Sequence, residues 1–268
     1  MSKDVFEKEL KAKITLIDQA LHGYLAGGCP HSLKEAISYS LFSEGKRLRP
    51  VIVLAVCEAF GGDVKKALPF ACAIELIHTY SLVHDDLPAM DDDDFRRGKP
   101  SNHKAFGEGM AILAGDGMLN LAYEIMLEVC CDSMDKGQIA AAKRVAKACG
   151  IFGMVGGQAL DIADTPKNHE DIFEIYNKKT AFLFREAFVA GGLCSSDLDD
   201  LFLLEKIGLN FGIAFQMKDD IDDKDANVSK IGGDKYKKIF EETKSELYKD
   251  LNSLKNAAFL LQLIDEVF

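Results

Sequence analysis

Long stretches with apolar residues at helical spacing dominate this chain, and alternating strand patterns are scarce. Paired glycines and a few prolines interrupt these stretches at positions typical of helix ends. Several stretches exceed twenty residues and are apolar on more than one face, as is typical of helices buried inside a bundle. No linker or short repeat divides the chain, so a single all-α domain over residues 1–268 is predicted. The predicted helices span residues 32–44, 50–60, 66–87, 107–131, 137–163, 169–191, 197–223 and 234–266.

The net charge argues against a nucleic-acid partner. At −11, the chain lacks the basic surface needed to neutralise a phosphate backbone; this argument does not apply to phosphates bound through metal ions. No apolar run approaches the ~20 residues needed to span a bilayer, and the charged start has no apolar signal-peptide stretch. The cysteines lack zinc-type spacing and mostly lie in apolar stretches, which favours buried reduced thiols. A cytoplasmic protein is expected.

The segment HDDLPAMDDDDFRRGKP, residues 84–100, concentrates aspartates directly after an apolar helix candidate. Two unit charges about 4 Å apart repel by ~4 kcal/mol at the effective dielectric of a protein surface. Mg²⁺ shared between carboxylates and substrate phosphates would relieve this repulsion. Asp85 and Asp86 end the helix, and Pro88 should interrupt it so that the chain curls back and brings Asp91 towards Asp85. Taken alone, the segment fits a solvated acidic loop equally well.

A second acidic cluster, FQMKDDIDD at residues 215–223, also follows an apolar helix candidate. Asp219 and Asp223 are four positions apart and share a helix face, where like charges are destabilising unless something offsets them. Two such clusters predict two walls of one cavity, with metal and diphosphate between them. Three basic segments could bind a second diphosphate directly, through forked arginine contacts and lysine charges. They are EGKRLRP (44–50), FRRGKP (95–100) and YNKKTAFLF (176–184).

The order of these motifs, with LAGDGMLNLA and GGQALDI between them, closely resembles the trans-isoprenyl diphosphate synthases, and within them the farnesyl-producing bacterial enzymes. The resemblance covers about residues 32–225. It implies an all-α bundle of long helices around a deep central cavity, usually in a homodimer. It also implies a prenyltransferase that condenses dimethylallyl or geranyl diphosphate with isopentenyl diphosphate, releasing diphosphate and giving farnesyl diphosphate.

The resemblance also implies a role for each matching residue. Three Mg²⁺ ions would bind together with the allylic diphosphate, through Asp85, Asp86, Asp91, Asp219 and Asp223. Arg96 would contact the allylic diphosphate, and isopentenyl diphosphate would be held by Lys46, Arg49, His78 and Arg97. The allylic site near the developing carbocation would be lined by Lys179, Thr180 and Gln216. Tyr80, five positions before Asp85, is about one helical turn from the metal site and would form a floor that stops the product at fifteen carbons.

Other functions fit the sequence less well. A geranylgeranyl or geranyl diphosphate synthase of the same family would differ only in product length. A terpene cyclase would carry a different second metal motif and no second diphosphate site, so KDDIDD and GKRLRP argue against it. A non-catalytic partner subunit would be expected to have lost one acidic cluster. The resemblance weakens after Asp223, where the chain is shorter than the family pattern and only Lys230 and Lys235 could replace the usual loop lysines.

Overall fold

The computed structural model describes residues 1–163, 168–195 and 201–268, and within these ranges almost all regular structure is helical. The first elements along the chain are α1 (Lys3–Tyr24), α2 (His31–Leu41), α3 (Leu48–Ala59), α4 (Val64–Asp85), β1 (Phe95–Arg96), β2 (Lys99–Pro100), α5 (Asn102–Phe106) and α6 (Glu108–Ser133). They are followed by α7 (Lys136–Cys149), α8 (Met154–Ala163), α9 (His169–Ile175), a π-helix (Tyr176–Ala181), α10 (Phe182–Leu193), α11 (Leu201–Asp223), α12 (Ala226–Ile231), α13 (Gly233–Ser253) and α14 (Ala258–Asp265).

Helices α3, α4 and α10 form the centre of the bundle. Residues 50–57 of α3 are all buried, and α10 is buried on nearly every face. A helix that is apolar all round has to be enclosed by others, and α3 packs against both α4 and α10. Outside this layer, α6 packs on α4, and α11 packs on α10. The prediction of an all-α bundle is confirmed.

Local polar residues define where several of these helices begin. The side chain of Asp63 accepts a hydrogen bond from the backbone N–H of Lys65 at 2.9 Å at the start of α4. Asn168 begins α9 with a reciprocal capping box that involves Asp171. Such caps satisfy backbone N–H groups that have no partner within the helix. The caps therefore define the starts of two helices that lead directly into the aspartate loop and the π-helix.

Several predicted helices differ from the observed ones. The predicted helix at 137–163 is two helices, because the chain turns at Gly150–Gly153 between α7 and α8. The predicted helix at 234–266 is likewise broken between α13 and α14. Helix α1 was not predicted, because its apolar stripe is narrow and its remaining faces are charged. The predicted helix at 197–223 starts outside the described residues, which resume at Leu201.

The sequence analysis expected no apolar run long enough to cross a bilayer, but α6 is long and apolar enough. It has 26 residues, and an 18-residue window reaches a mean hydropathy of 1.3, which suffices by length and composition alone. Core helices of globular proteins pass the same test, so this is weak evidence for a membrane span. Here α6 packs against α2, α4, α5 and α7, while Leu113 and Leu127 on its outer face are exposed.

The π-helix and α11 approach each other very closely at Gly212. A Cβ atom at this position would lie only 2.4 Å from the Cα atom of Ala181. The absence of a side chain at Gly212 therefore allows backbone contact between the two elements. The contact brings the residues just before Ala181 close to Gln216, one helical turn further along α11.

Candidate active site

A cavity of about 620 Å³ lies between these helices and is lined from both halves of the chain. Its polar wall includes residues from both acidic clusters and from the basic segments: Arg49, His78, Asp85, Asp91, Arg96, Lys179, Thr180, Gln216 and Asp219. Its apolar wall includes Leu82, Met90, Met154, Val155, Ile162, Leu183 and Phe215. The cavity therefore combines a charged region with an apolar one, as expected for a substrate with an ionic head and a hydrocarbon tail.

The first aspartate cluster curls back as predicted. Helix α4 ends at Asp85, and the backbone N–H of Asp91 donates to the carbonyl oxygen of Asp85 at 2.9 Å. Both side chains consequently face the same cavity. Burial raises the pKa of Asp85 to about 6; Lys179 opposes this shift, and Asp91 adds to it. The raised pKa thus reflects burial first and repulsion from Asp91 second.

Asp86 occupies a different environment from Asp85. It is buried outside the main cavity, and its Oδ1 atom accepts a hydrogen bond of 2.8 Å from Nε of Arg96. Arg96 also donates to Asp93 at 2.9 Å, so two carboxylates hold its guanidinium at the cavity edge. Asp86 thus orients Arg96. The predicted role of Asp86 as a metal ligand stays a prediction.

A tight hairpin separates the two arginines of FRRGKP. Strands β1 and β2 are joined by Arg97 and Gly98, whose φ angles of 54° and 75° suit a two-residue hairpin turn. Arg96 faces the cavity, whereas Arg97 donates to the hydroxyl of Ser43 at 3.3 Å and lines a small neighbouring pocket. Arg97 does not line the large cavity, but its charge contributes to lowering the pKa of both Arg49 and His78. Its predicted contact with isopentenyl diphosphate stays a prediction.

Arg49 and His78 form a half-buried pair on the cavity wall. The guanidinium carbon of Arg49 lies 3.9 Å from the ring centroid of Phe184, and its Nη1 atom lies 3.3 Å from Nε2 of His78. Burial lowers the pKa of Arg49 to about 10, and burial with the adjacent Arg49 lowers the pKa of His78 well below 6.5. A neutral His78 can therefore accept a hydrogen bond from the charged Arg49.

The remaining basic residues of GKRLRP have separate positions. Arg47 adopts a left-handed backbone conformation with φ of 48°, and its buried guanidinium binds Glu75 and Asp18, both at 3.0 Å. Lys46 is exposed and does not line the cavity. Arg47 is consequently a structural residue, and the predicted contact of Lys46 with isopentenyl diphosphate stays a prediction.

The π-helix presents Lys179 and Thr180 to the cavity. Its wide turn is a feature often found at functional sites. Nζ of Lys179 donates to Asp161 at 2.7 Å, and the Thr180 hydroxyl donates to Oε1 of Gln216 at 2.9 Å. Burial lowers the pKa of Lys179, but the carboxylates of Asp85 and Asp161 outweigh burial, and the net shift is upward. Lys179 therefore remains a charged group facing the first aspartate cluster.

The second cluster is divided between two environments. Asp219 lines the cavity, and burial together with Asp223 and Asp220 raises its pKa to about 6. Asp223 is exposed at the end of α11 and does not line the cavity, so its metal role stays a prediction. Asp220 is buried behind Asp219 and binds the side chains of Tyr176, Tyr236 and Gln216.

Tyr80 lies in the cavity wall, as the floor hypothesis requires. It is buried and packs edge-on against His84, with ring centroids 5.7 Å apart. His84 in turn fits against Gly115, where a Cβ atom would lie 2.1 Å from its Nε2 atom. The ring of Tyr80 is thus supported by a second aromatic side chain that is itself confined by α6.

Sequence analysis left some site residues without a clear role. Gln158 lines the cavity, and both polar atoms of its amide are buried without a hydrogen-bond partner. Its motif, GGQALDI, matches the family pattern, but a helix-packing role for Gln158 explains this match as well as a contact with substrate does. The sequence indicates only a core role for Phe184 and gives no role to Tyr176 and Tyr236, because an aromatic residue in a helix gives no signal of which side chain it will contact.

The donor set suits Mg²⁺ only if the substrate completes the coordination. Asp85, Asp91 and Asp219 supply carboxylate oxygens to one cavity, which is the ligand type Mg²⁺ prefers. However, in the described ranges, no three His, Cys, Asp or Glu side chains converge closely enough to hold a metal ion by themselves. Because Mg²⁺ keeps water and often shares phosphate oxygens, these carboxylates could hold it together with a diphosphate.

Comparison with known proteins assigns the chain and its fold to a family. The fold is that of the isoprenoid synthases. The chain matches the model described as Polyprenyl synthetase over residues 30–252, and it belongs to that family of prenyltransferases. The crystal structure of a geranyltransferase from Legionella pneumophila has a TM-score of 0.89 at 33% identity, covering 99% of this chain and 95% of that one. The resemblance inferred from the sequence is thereby confirmed.

Two curated relatives differ in their named products. The farnesyl diphosphate synthase of Bacillus subtilis (strain 168) is 41% identical over 87% of this chain and 80% of its own length. A chloroplastic geranylgeranyl pyrophosphate synthase of Arabidopsis thaliana is also 41% identical, over 85% of this chain and 65% of its own length. Sequence identity alone therefore does not determine the length of the product, and the shape of the cavity has to be considered.

The raised pKa values predict a pH-dependent stability of the metal-free protein. When the folded-state pKa of a carboxyl exceeds its ordinary value of 3.8, the folded state binds the proton more tightly than the unfolded state. The resulting destabilisation is complete above about pH 6 and disappears as the pH falls towards about 4. Asp85→Asn and Asp219→Asn should therefore raise the melting temperature at neutral pH in a chelator, and lose this advantage near pH 4.

Thermal unfolding at several pH values would test this expectation, with exposed Asp132→Asn on α6 as the control. Lower melting temperatures for the two cavity variants at neutral pH would contradict it.

Proposed function

We propose that this protein is a Mg²⁺-dependent farnesyl diphosphate synthase. It would condense dimethylallyl or geranyl diphosphate with isopentenyl diphosphate in the 620 Å³ cavity, within one catalytic domain. The observation that carries the proposal is the shared cavity wall: carboxylates of α4 and α11 face it together with Arg49, Arg96 and Lys179. A terpene cyclase would have no need of a second basic site beside Arg49 and His78.

The residues of the cavity suit an ionisation and condensation mechanism. Bound Mg²⁺ would supply positive charge to the departing diphosphate. Lys179 and Arg96 add fixed positive charge, while Thr180 and Gln216 place polar oxygens where a carbocation would form. The bond from the allylic carbon to diphosphate breaks, the double bond of isopentenyl diphosphate forms the new carbon–carbon bond, and a proton is lost. The apolar wall keeps water from the cation.

The product is proposed to have fifteen carbons because Tyr80 closes part of the cavity. The alternative is a geranylgeranyl or geranyl diphosphate synthase, which would use the same charged wall with a different cavity depth. A non-catalytic partner subunit is disfavoured, because residues of both acidic clusters face the cavity.

We further propose that the protein is a cytoplasmic homodimer. Exposed apolar side chains of α6, including Ile112, Leu113 and Leu127, would be covered by a second copy of the chain. All seven cysteines are free, which suits a reducing compartment.

Tight binding of the allylic diphosphate should require a divalent metal, because Asp85, Asp91 and Asp219 otherwise repel it. Calorimetric titration with geranyl diphosphate, with Mg²⁺ and with chelator, measures this directly. Equal affinity under both conditions would contradict the proposed metal bridge, and turnover of the two substrates with Mg²⁺ tests the function itself.

Arg49→Ala should weaken isopentenyl diphosphate more than the allylic diphosphate. The loss of one charge-assisted contact costs on the order of 1.5–3 kcal/mol, or about tenfold to a hundredfold in affinity. Lys46→Ala is expected to act in the same direction, and exposed Lys11→Ala on α1 serves as the control. Steady-state kinetics with each substrate varied in turn measures the effect. Equal losses for both substrates would show that the division into two diphosphate sites is wrong.

Tyr80→Ala should lengthen the product, because it removes the ring that closes the cavity beside His84. Tyr80→Phe keeps the ring and should keep the fifteen-carbon product. Chromatography of the dephosphorylated products measures the product length of each variant. An unchanged product from a folded and active Tyr80→Ala variant would exclude Tyr80 as the floor.

A further inference from the structure

Asp220 is the buried member of the second acidic cluster. Only 5% of its surface is exposed, whereas its neighbour Asp219 faces the cavity and Asp222 and Asp223 face solvent. A buried carboxylate is costly unless hydrogen bonds replace its hydration. Its burial one position after Asp219 therefore requires specific partners.

Three hydrogen-bond donors from three elements surround Asp220. Oδ2 accepts from the hydroxyl of Tyr176 in the π-helix and from the hydroxyl of Tyr236 in α13, the latter at 3.1 Å. Oδ1 accepts from the amide nitrogen of Gln216, one turn earlier in α11, at 2.9 Å. Around them, Ile172 and Met217 form a small apolar cluster with the two tyrosines. Asp220 thus joins three elements, and with Tyr176 and Gln216 it borders a second cavity of about 470 Å³.

This network determines which way the Gln216 amide points. A carboxylate only accepts hydrogen bonds, so the amide nitrogen of Gln216 must face Asp220. The amide oxygen must then face the opposite way, where it accepts from the Thr180 hydroxyl at 2.9 Å. Gln216 and Thr180 both line the cavity, whereas Tyr236 does not. The carboxylate of Asp220 thereby determines that Gln216 directs its amide oxygen, and not its nitrogen, towards Thr180 in the cavity wall.

We propose that Asp220 is a positioning residue and not a metal ligand: held by Tyr176 and Tyr236, it fixes Gln216 so that oxygen atoms of Gln216 and Thr180 face the reacting allylic carbon. The inference rests on the proposed prenyl transfer, which places substrate beside Thr180 and Gln216. Oriented oxygen dipoles stabilise a developing positive charge. Through Tyr236, α13 contributes to a reaction whose other residues all precede it in the chain.

The variant Asp220→Asn tests this orientation. An asparagine can donate as well as accept, so the Gln216 amide can turn and present its nitrogen to Thr180. We expect kcat to fall about tenfold to a hundredfold, as for a misplaced catalytic group. KM values for both diphosphates should change little, since ground-state binding is not affected. Mg²⁺-dependent binding of geranyl diphosphate, measured by calorimetry, should match the wild type, whereas Asp219→Asn should weaken it.

The double variant Tyr176→Phe/Tyr236→Phe provides an independent test that retains Asp220. It removes both hydroxyl donors and should also lower kcat with little change in either KM. Tyr248→Phe is the matched control, because Tyr248 lies in the same α13 and its hydroxyl donates to Asp265 at 2.7 Å near the surface. Its kcat should equal that of the wild type.

The outcomes separate this inference from the proposed function. An inactive wild-type protein would overturn the function and the inference with it. If the wild type is active, an unchanged kcat for Asp220→Asn overturns the inference alone, as does a loss of metal-dependent binding equal to that of Asp219→Asn. If Asp220→Asn does not fold, the double tyrosine variant decides, and a kcat equal to that of Tyr248→Phe overturns the inference.

Discussion

Burial of carboxylates in one cavity is the constraint on which the site depends, and repulsion within each aspartate cluster adds to it. Asp85 ends α4 and Asp219 lies one turn before the end of α11, yet both face the same cavity and both have a raised pKa. The nearby cations offset this only in part, because Lys179 is shared with Asp161 and Arg96 with Asp86. The protein therefore retains an uncompensated negative charge that an incoming cation can neutralise, and the bundle must be rigid enough to maintain it.

The aspartates, lysines and arginines of the site could be predicted because the motifs contain the functional groups themselves. The sequence could not show that adjacent residues would face different ways. Asp85 faces the cavity while Asp86 holds Arg96, and this division depends on where α4 ends and how the hairpin folds back. Patterns along the chain identify residue types at a site, but the direction of each side chain depends on tertiary contacts.

The same limit applies to GKRLRP and to the helix boundaries. Arg47 and Arg49 are chemically identical in the sequence, yet the left-handed backbone at Arg47 directs it to Glu75, whereas Arg49 stacks on Phe184 in the cavity wall. Apolar periodicity located most long helices but not the break at Gly150–Gly153, because both flanking segments continue the helical pattern. Helix α1 lacked the broad apolar face on which the predictions relied.

The backbone contact at Gly212 has a consequence for how the cavity can change its width. With the Cα atom of Ala181 where a side chain would otherwise project, the π-helix cannot slide or rotate against α11 without a clash. Lys179, Thr180 and Asp219 therefore move as one rigid wall. Helix α8 is held against the π-helix in the same way, because a Cβ atom at Gly157 would lie only 2.4 Å from the backbone nitrogen of Lys179. A change in cavity width must therefore come from the loop after α4.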